Sequence, residues 1–241
     1  MIRKLLVLII LLVISCSSDS GSNEEIAQEL TEEEEAFLEE YEYITFKLNP
    51  SSNGAPLSEK WTNELKLFLA GDITPEYRDL VEKEVSVLNN LISDGTKIKT
   101  VSMVEESNVS LYLGPSSEIE PFWPDMFEIL RNANFSGYAV YSYDSNFNIY
   151  DGRIWVANDG MPIFRHELGH ILGLGHSSNT YCGDESLSDR SYMCSSLARE
   201  YSDFDKGIIE ILYHPAIQTG QNFEQLRPVV EELLLTDDIV F

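Results

Sequence analysis

The chain has few basic residues, few cysteines and no apolar run long enough to cross a membrane as a helix. Its 241 residues include 16 Lys+Arg against 41 Asp+Glu, for a formal net charge of −25. Nucleic acid and anionic membrane surfaces repel so acidic a chain, so we expect no nucleic-acid partner. Only three cysteines are present, and no pair of them flanks the histidine-containing segment 166–176, so a cysteine-rich structural metal site is excluded. The 43% of hydrophobic residues is nevertheless enough for the core of one ordinary domain.

The longest apolar run lies at the N-terminus and is typical of an export signal. Arg3 and Lys4 precede ten apolar residues, which is the layout of a secretory signal and too short for a transmembrane helix. The run ends in Val-Ile-Ser-Cys, which resembles the lipobox of bacterial lipoprotein signals. That resemblance implies a signal peptide over 1–15, lipid on Cys16, and a protein anchored in the bacterial cell envelope. An ordinary signal peptide with an incidental cysteine is the alternative.

A polar and acidic stretch follows the signal. Residues 16–56 begin with a Ser/Gly/Asn-rich segment, continue through the acidic segment 24–40, and end in a loop-like segment with two prolines. We predict that this stretch is a lipidated tether or linker, with 24–40 forming either a solvated helix or a spacer. The folded domain then covers residues 57–241.

Within that domain the hydrophobic pattern predicts both strands and helices. Five segments bounded by turn residues are predicted as strands: 65–69, 98–104, 109–113, 137–143 and 153–157. Thr74 is a suitable N-cap, followed by Pro at the first helical position, so a helix is expected from there to Leu91. Another helix should begin near Pro162, and a last one should cover about 203–213. The sequence contains no internal repeat and no glycine-rich phosphate loop after a strand.

The candidate chemistry is concentrated in residues 166–176, which hold three of the four histidines. His166 and His170 are four residues apart, so on a helix they lie on one face and can bind one metal ion together. Gly173 can adopt a positive φ and end the helix, which lets His176 approach the same ion. Three neutral histidines leave one coordination position open, as in a catalytic zinc site.

Glu167 lies one position round the same helix, close to the metal without being a ligand. We therefore predict that it is the general base, the alternative being a surface glutamate on an amphipathic helix. The five-residue pattern HExxH alone occurs by chance. The additional Gly and His at fixed offsets make the zinc site a far more specific prediction.

The whole segment resembles the extended zinc signature HExxHxxGxxH of the metzincin metallopeptidases at every fixed position. That clan has a methionine turn beneath the metal, and Ser-Tyr-Met-Cys at 191–194 is similar to it. The resemblance implies that Met193 packs below the metal without binding it; a core methionine in an unrelated turn is the alternative. Some metzincins place a tyrosine two residues later, where this chain has Ser195, so the family within the clan is not assigned.

The resemblance also implies a fold and an activity. The expected fold is α/β (α+β): a twisted, mostly parallel five-stranded sheet with a backing helix and an active-site helix. An upper lobe of about 57–174 would be followed by a small irregular lower lobe of about 175–241 with a final helix. The expected activity is that of a monomeric zinc endopeptidase, with one catalytic Zn²⁺, acting on extracellular or envelope proteins. Substrate peptide would pair with an edge strand made of four residues: Ala139, Val140, Tyr141 and Ser142.

Other functions and ligands stay open. A catalytically inactive, zinc-bearing binding lipoprotein would bind zinc without turnover, and a structural or adhesive envelope lipoprotein would bind no stoichiometric zinc. Asp184, Glu185 and Asp189 are possible calcium ligands, but they form no regular pattern, so a solvated acidic loop is favoured.

A disulfide is predicted between Cys182 and Cys194. Lipid on Cys16 would leave these two cysteines in a chain exported from the reducing cytoplasm. Both lie in the short connection from the third histidine to just past the methionine. Two free thiols, or pairing with a partner, are the alternatives.

Overall fold

The computed structural model describes residues 29–50, 52, 54–183, 190–195, 200–236, 239 and 241. The signal segment, Cys16 and the three possible calcium ligands, Asp184, Glu185 and Asp189, lie outside these residues. Among the described residues, no helix combines the length and the apolar character that a membrane span requires.

The strands form one mostly parallel sheet. They are β1 (Lys60–Trp61), β2 (Leu65–Gly71), β3 (Ile98–Val101), β4 (Val109–Leu113), β5 (Gly137–Tyr143) and β6 (Asn148–Val156). The order is β1-β6-β4-β2-β3 with parallel pairs throughout, and β5 pairs antiparallel with β6. The predicted α/β class is confirmed, and the arrangement is consistent with a metzincin-like α+β fold. The predicted strand count was one too low, because two-residue β1 is too short to show an alternating pattern.

Six α-helices accompany the sheet in the described part of the chain. They are α1 (Glu32–Thr45), α2 (Pro75–Leu91), α3 (Pro124–Leu130), α4 (Met161–Ile171), α5 (Asp203–Leu212) and α6 (Phe223–Leu235). Helix α2 begins as predicted, and the Thr74 side chain accepts a hydrogen bond from the Tyr77 N–H. Two short 3-10 helices cover Val104–Glu106 and Ser116–Glu118. Strand β3 ends at Val101, so the predicted strand 98–104 was too long at its C-terminal end.

Helix α1 shows that the prediction of a tether over 16–56 is wrong for residues 32–45. Thr31 and Glu34 form a capping box, and the first turn is entirely glutamate, which suits the positive end of the helix dipole. Phe37, Leu38 and Tyr41 are fully buried in the main core. Of the two predicted alternatives for the acidic segment, a solvated helix or a spacer, the helix is present from residue 32, but one face of it is buried and belongs to the core.

The C-terminal region is also more regular than predicted. Helix α5 matches the expected helix over 203–213, but it is followed by α6 instead of being the last helix. Leu226 and Val230 of α6 are fully buried. Pro228 lies inside α6, and an internal proline normally argues against a helix because it removes a backbone hydrogen bond.

The core of the described residues has two parts, a large cluster and a smaller one. Helix α4 packs on β5 and β6 and also contacts α2. A smaller cluster, made of Ile119, Met126, Leu130 and Trp155, forms a separate core beside α3. The result that matters for function is that α4 lies directly beneath the edge strand β5.

Candidate metal centre

Helix α4 positions two of the three histidines, and its C-terminal end is held by side chains from distant parts of the chain. Trp61 Nε1 donates to the Ile171 carbonyl at 2.7 Å. Tyr213 OH donates to the Leu172 carbonyl at 3.0 Å. Carbonyl groups in the last turn of a helix have no partner within the helix, so these two bonds satisfy groups that would otherwise be buried and unpaired.

Gly173 turns the chain toward the third histidine. Its φ is +101°, which favours glycine. A Cβ at this position would also lie 2.5 Å from the Glu59 carbonyl oxygen. The chain therefore leaves α4 sharply, and His176 returns to the same side of the helix as His166 and His170.

The three histidine side chains converge on one point. His166 Nε2 lies 3.2 Å from His170 Nε2 and 3.3 Å from His176 Nε2. Two metal–nitrogen bonds of about 2.0–2.1 Å at a tetrahedral angle place their nitrogens about 3.3 Å apart. The spacing of these residues is therefore that of a tetrahedral metal site, and the three histidines are positioned to bind a metal ion.

The hydrogen bonds and burial of the imidazoles fit the same conclusion. His166 Nδ1 lies 2.9 Å from the Tyr192 carbonyl, and His170 Nδ1 lies 2.9 Å from the Leu174 carbonyl. A carbonyl can only accept, so these bonds put the proton on Nδ1 and leave the Nε2 lone pair for a metal. Burial lowers the pKa of His166 to about 4, and it lowers the pKa values of His170 and His176 as well. Neutral imidazole is the form that binds metal.

Glu167 lies beside this cluster with its carboxylate on the pocket. Burial raises its pKa from 4.5 to about 8. Gly137, the first residue of β5, makes room for the side chain: a Cβ there would lie 2.5 Å from Glu167 Oε1. Sequence reasoning did not find Gly137, because nothing in its neighbourhood marks it as facing a residue 30 positions later.

A pocket of about 730 Å³ opens above the histidines and Glu167. Ala139, Val140 and Tyr141 line it, together with Gly137, whereas Ser142 is not among the lining residues. Strand β5 pairs only with β6, so its other edge is free of strand partners within the described part of the sheet. Three of the four residues predicted to pair with substrate therefore line the pocket.

One wall of the pocket contains Lys47, whose positive charge is balanced by the carboxylate of Glu59. Lys47 Nζ lies 2.8 Å from Glu59 Oε2, and Tyr141 OH donates to the same carboxylate oxygen. Burial is the main cause of a lowered pKa for Lys47, and the neighbouring Glu59 opposes it. The pocket thus gains little net charge from this pair.

The methionine turn packs beneath α4. Met193 is 1% exposed, and a Cβ at Gly169 would lie 2.3 Å from its Sδ, so the sulfur touches the helix between the two histidines. The buried carboxylate of Asp205 accepts hydrogen bonds from the Tyr192 and Ser202 N–H groups, which ties the turn to α5. Met193 therefore packs against the helix segment between His166 and His170, beneath the three converging imidazoles.

A disulfide joins Cys182 to Cys194, with 5.6 Å between the Cα atoms. It links the segment after His176 to the residue that follows Met193. The third ligand and the methionine turn are thus covalently connected as well as packed together.

The comparisons with known proteins give no assignment. No protein-family model matches the chain, and no curated protein matches it. Inferences about its function therefore depend on the residues and geometry of the site.

Proposed function

We propose that the protein is a zinc-dependent endopeptidase of the metzincin type. The observation that carries the proposal is the convergence of three neutral histidine nitrogens beside Glu167, on the floor of a pocket under a sheet edge. The motif order, Gly173 at the turn and Met193 beneath α4 support the metzincin assignment. The three nitrogens suit zinc, which takes histidine ligands and keeps an open position in catalytic sites.

Glu167 is the proposed proton carrier. Zinc held by His166, His170 and His176 would polarise a peptide carbonyl and lower the pKa of water. Glu167 would accept a proton from the attacking water and donate it to the leaving amine. Burial raises the pKa of Glu167 in the metal-free site and so favours the protonated form that the second transfer uses, while zinc nearby would favour the ionised form that the first transfer needs.

Strand β5 is the proposed docking site for substrate. An extended peptide added to the free edge would gain backbone hydrogen bonds, while alternate side chains would enter the pocket. The scissile bond would then lie over the three histidines. The proposed substrates are accordingly proteins or peptides in an extended conformation.

The proposed location follows from the N-terminal sequence. Lipid on Cys16 would hold the enzyme in a bacterial cell envelope, with residues 17–31 between the anchor and the start of α1. The substrates would then be envelope or extracellular proteins within reach of that anchor.

The test separates metal binding from catalysis. Glu167→Gln should keep one zinc per chain and lose peptidase activity by about 10²- to 10⁴-fold, because the ligands remain and the proton carrier is gone. His170→Ala should lose the metal, since two protein ligands are left. Glu82→Gln, which removes an exposed glutamate from α2, is the matched control and should retain both properties.

Zinc content and cleavage of a peptide library are measured for all four proteins. Near-wild-type turnover by zinc-loaded Glu167→Gln would contradict the mechanism. Zinc without turnover in the wild-type protein would instead favour a binding lipoprotein, and absence of zinc would contradict both functions.

A further inference from the structure

The loop that carries the third histidine is held by helix α1. Ser177 and Ser178 follow His176 directly. Glu40 Oε1 accepts hydrogen bonds from Ser177 Oγ and from the Ser178 N–H, each at 2.7 Å. Glu40 is 4% exposed, and hydrogen bonds to a buried carboxylate are stronger than those between neutral groups.

A second contact joins the same loop to the end of α1. The Gly175 N–H donates to the Ile44 carbonyl at 2.8 Å. A Cβ at Gly175 would lie 3.0 Å from that carbonyl oxygen and 3.0 Å from Lys47 Cα. The loop therefore contacts α1 through its backbone one residue before His176, and through the Glu40 side chain one and two residues after it.

The methionine turn supports the loop from another direction. The Ser177 N–H donates to the Met193 carbonyl at 3.1 Å. His176 is thus held between α1 and this turn, although it belongs to neither.

His176 depends on such support more than the other ligands do. His166 and His170 share the rigid helix α4, and each has a backbone carbonyl at Nδ1. Among the described residues, no carbonyl occupies the corresponding position at His176. The orientation of the third ligand is therefore set by its loop.

We propose that Glu40 is a positioning residue of the metal centre, which makes α1 part of that centre. With Glu40 present, the loop is ordered before the metal arrives, so metal binding need not order it. Without Glu40, binding would also have to order the loop, and affinity would fall. The inference rests on the proposed metal site and requires no assumption about peptidase activity.

The experiment measures zinc affinity of the full-length chain, purified in detergent, by competition with a chromophoric chelator. Glu40→Ala should bind zinc about 10- to 100-fold more weakly, the range typical for loss of a group that orients a ligand. Glu40→Gln keeps an acceptor oxygen and should stay close to wild type. Glu39→Ala, the exposed neighbour on the same helix, should leave the affinity unchanged.

Urea unfolding of the metal-free proteins distinguishes positioning from general stabilisation. A merely structural role would destabilise the metal-free and the loaded protein equally, leaving the zinc Kd unchanged. Unchanged affinity in a folded Glu40→Ala protein would overturn the proposal.

If that variant does not fold, Ser177→Ala removes one of the two hydrogen bonds to Glu40 from the loop side. It should weaken zinc binding by a smaller factor, and unchanged affinity there would be equally decisive. Failure of the wild-type protein to bind zinc would overturn the metal site and this inference together.

Discussion

Residues outside the histidine motif also shape the candidate metal centre. Spacing alone predicts His166, His170 and His176, because four residues make one helical turn and Gly173 permits the return of the chain. Gly137 and Glu40 could not be predicted in this way. Each acts across a contact between separate elements, and only the folded chain shows which elements meet.

Gly137→Ala should lower peptidase activity by about 10²-fold while zinc binding persists. The added methyl would lie 2.5 Å from Glu167 Oε1 and 2.6 Å from Ile163 Cγ2, so the carboxylate that we propose as proton carrier must move. A displacement of about 1 Å can have an effect of that size on rate. The measurement is peptide turnover and zinc content of the Gly137→Ala protein.

Gly183→Ala is the control for this change, because an added Cβ there would come no closer than 4.0 Å to the described residues. Full activity of Gly137→Ala would show that Glu167 tolerates the crowding. Loss of zinc from that variant would show that the effect reaches the ligands, contrary to expectation.

At the scale of elements, those with a strong periodic pattern were predicted well. Strands β4 and β5 have their expected bounds, and α2 begins at its predicted N-cap. A helix in the acidic segment was one of the two predicted alternatives, but its burial was not predicted, because acidic residues dominate its composition and its partners in α5 and α6 are distant in sequence. Helix α3 has seven residues, which is too few to show a clear helical period.

Removal of the disulfide should destabilise the connection between the third ligand and the methionine turn. The bonded cysteines are 12 residues apart in sequence, and closing a loop of about that size contributes about 3 kcal/mol in the chain-entropy model. We expect the double variant Cys182→Ser, Cys194→Ser to lose about that much free energy of unfolding in urea titrations.

Reductant supplies the control for this prediction. It should destabilise the wild-type protein by a similar amount and leave the double variant unchanged. Equal stability of the wild-type protein with and without reductant would mean that the bond is absent or energetically neutral.

At the scale of the whole molecule, the fold class followed from the resemblance of one short motif together with the order of strands and helices. The sheet topology did not follow, because pairing of β1 with β6 joins segments that lie almost 90 positions apart. Long-range pairing of this kind is decided by the whole core, so a local pattern does not contain it.

Global stability of the metal-free protein should depend on pH through Glu167. Its pKa is raised from 4.5 to about 8, so the folded state binds the proton more tightly than the unfolded state. The resulting stabilisation is complete below about pH 4.5 and is lost as the pH rises through about 8. The stability of wild type minus that of Glu167→Gln should therefore fall by a few kcal/mol across this interval.

Urea titrations in the presence of a chelator, at about pH 5 and about pH 8, measure this difference. Subtracting the Glu167→Gln values removes the titration of all other groups. A difference that does not change with pH would contradict the prediction. Added zinc should reduce the change, since a nearby cation favours the ionised carboxylate.

The bonds that hold the end of α4 also have a consequence for the order of events during synthesis. Trp61 reaches the Ile171 carbonyl from 110 residues earlier, and Tyr213 reaches the Leu172 carbonyl from 41 residues later. A ribosome-bound chain therefore contains all three histidines before it contains the phenol that holds the end of α4. A nascent chain interrupted in that interval would have the three histidines without this bond to the end of α4, which forms only after residue 213 has emerged.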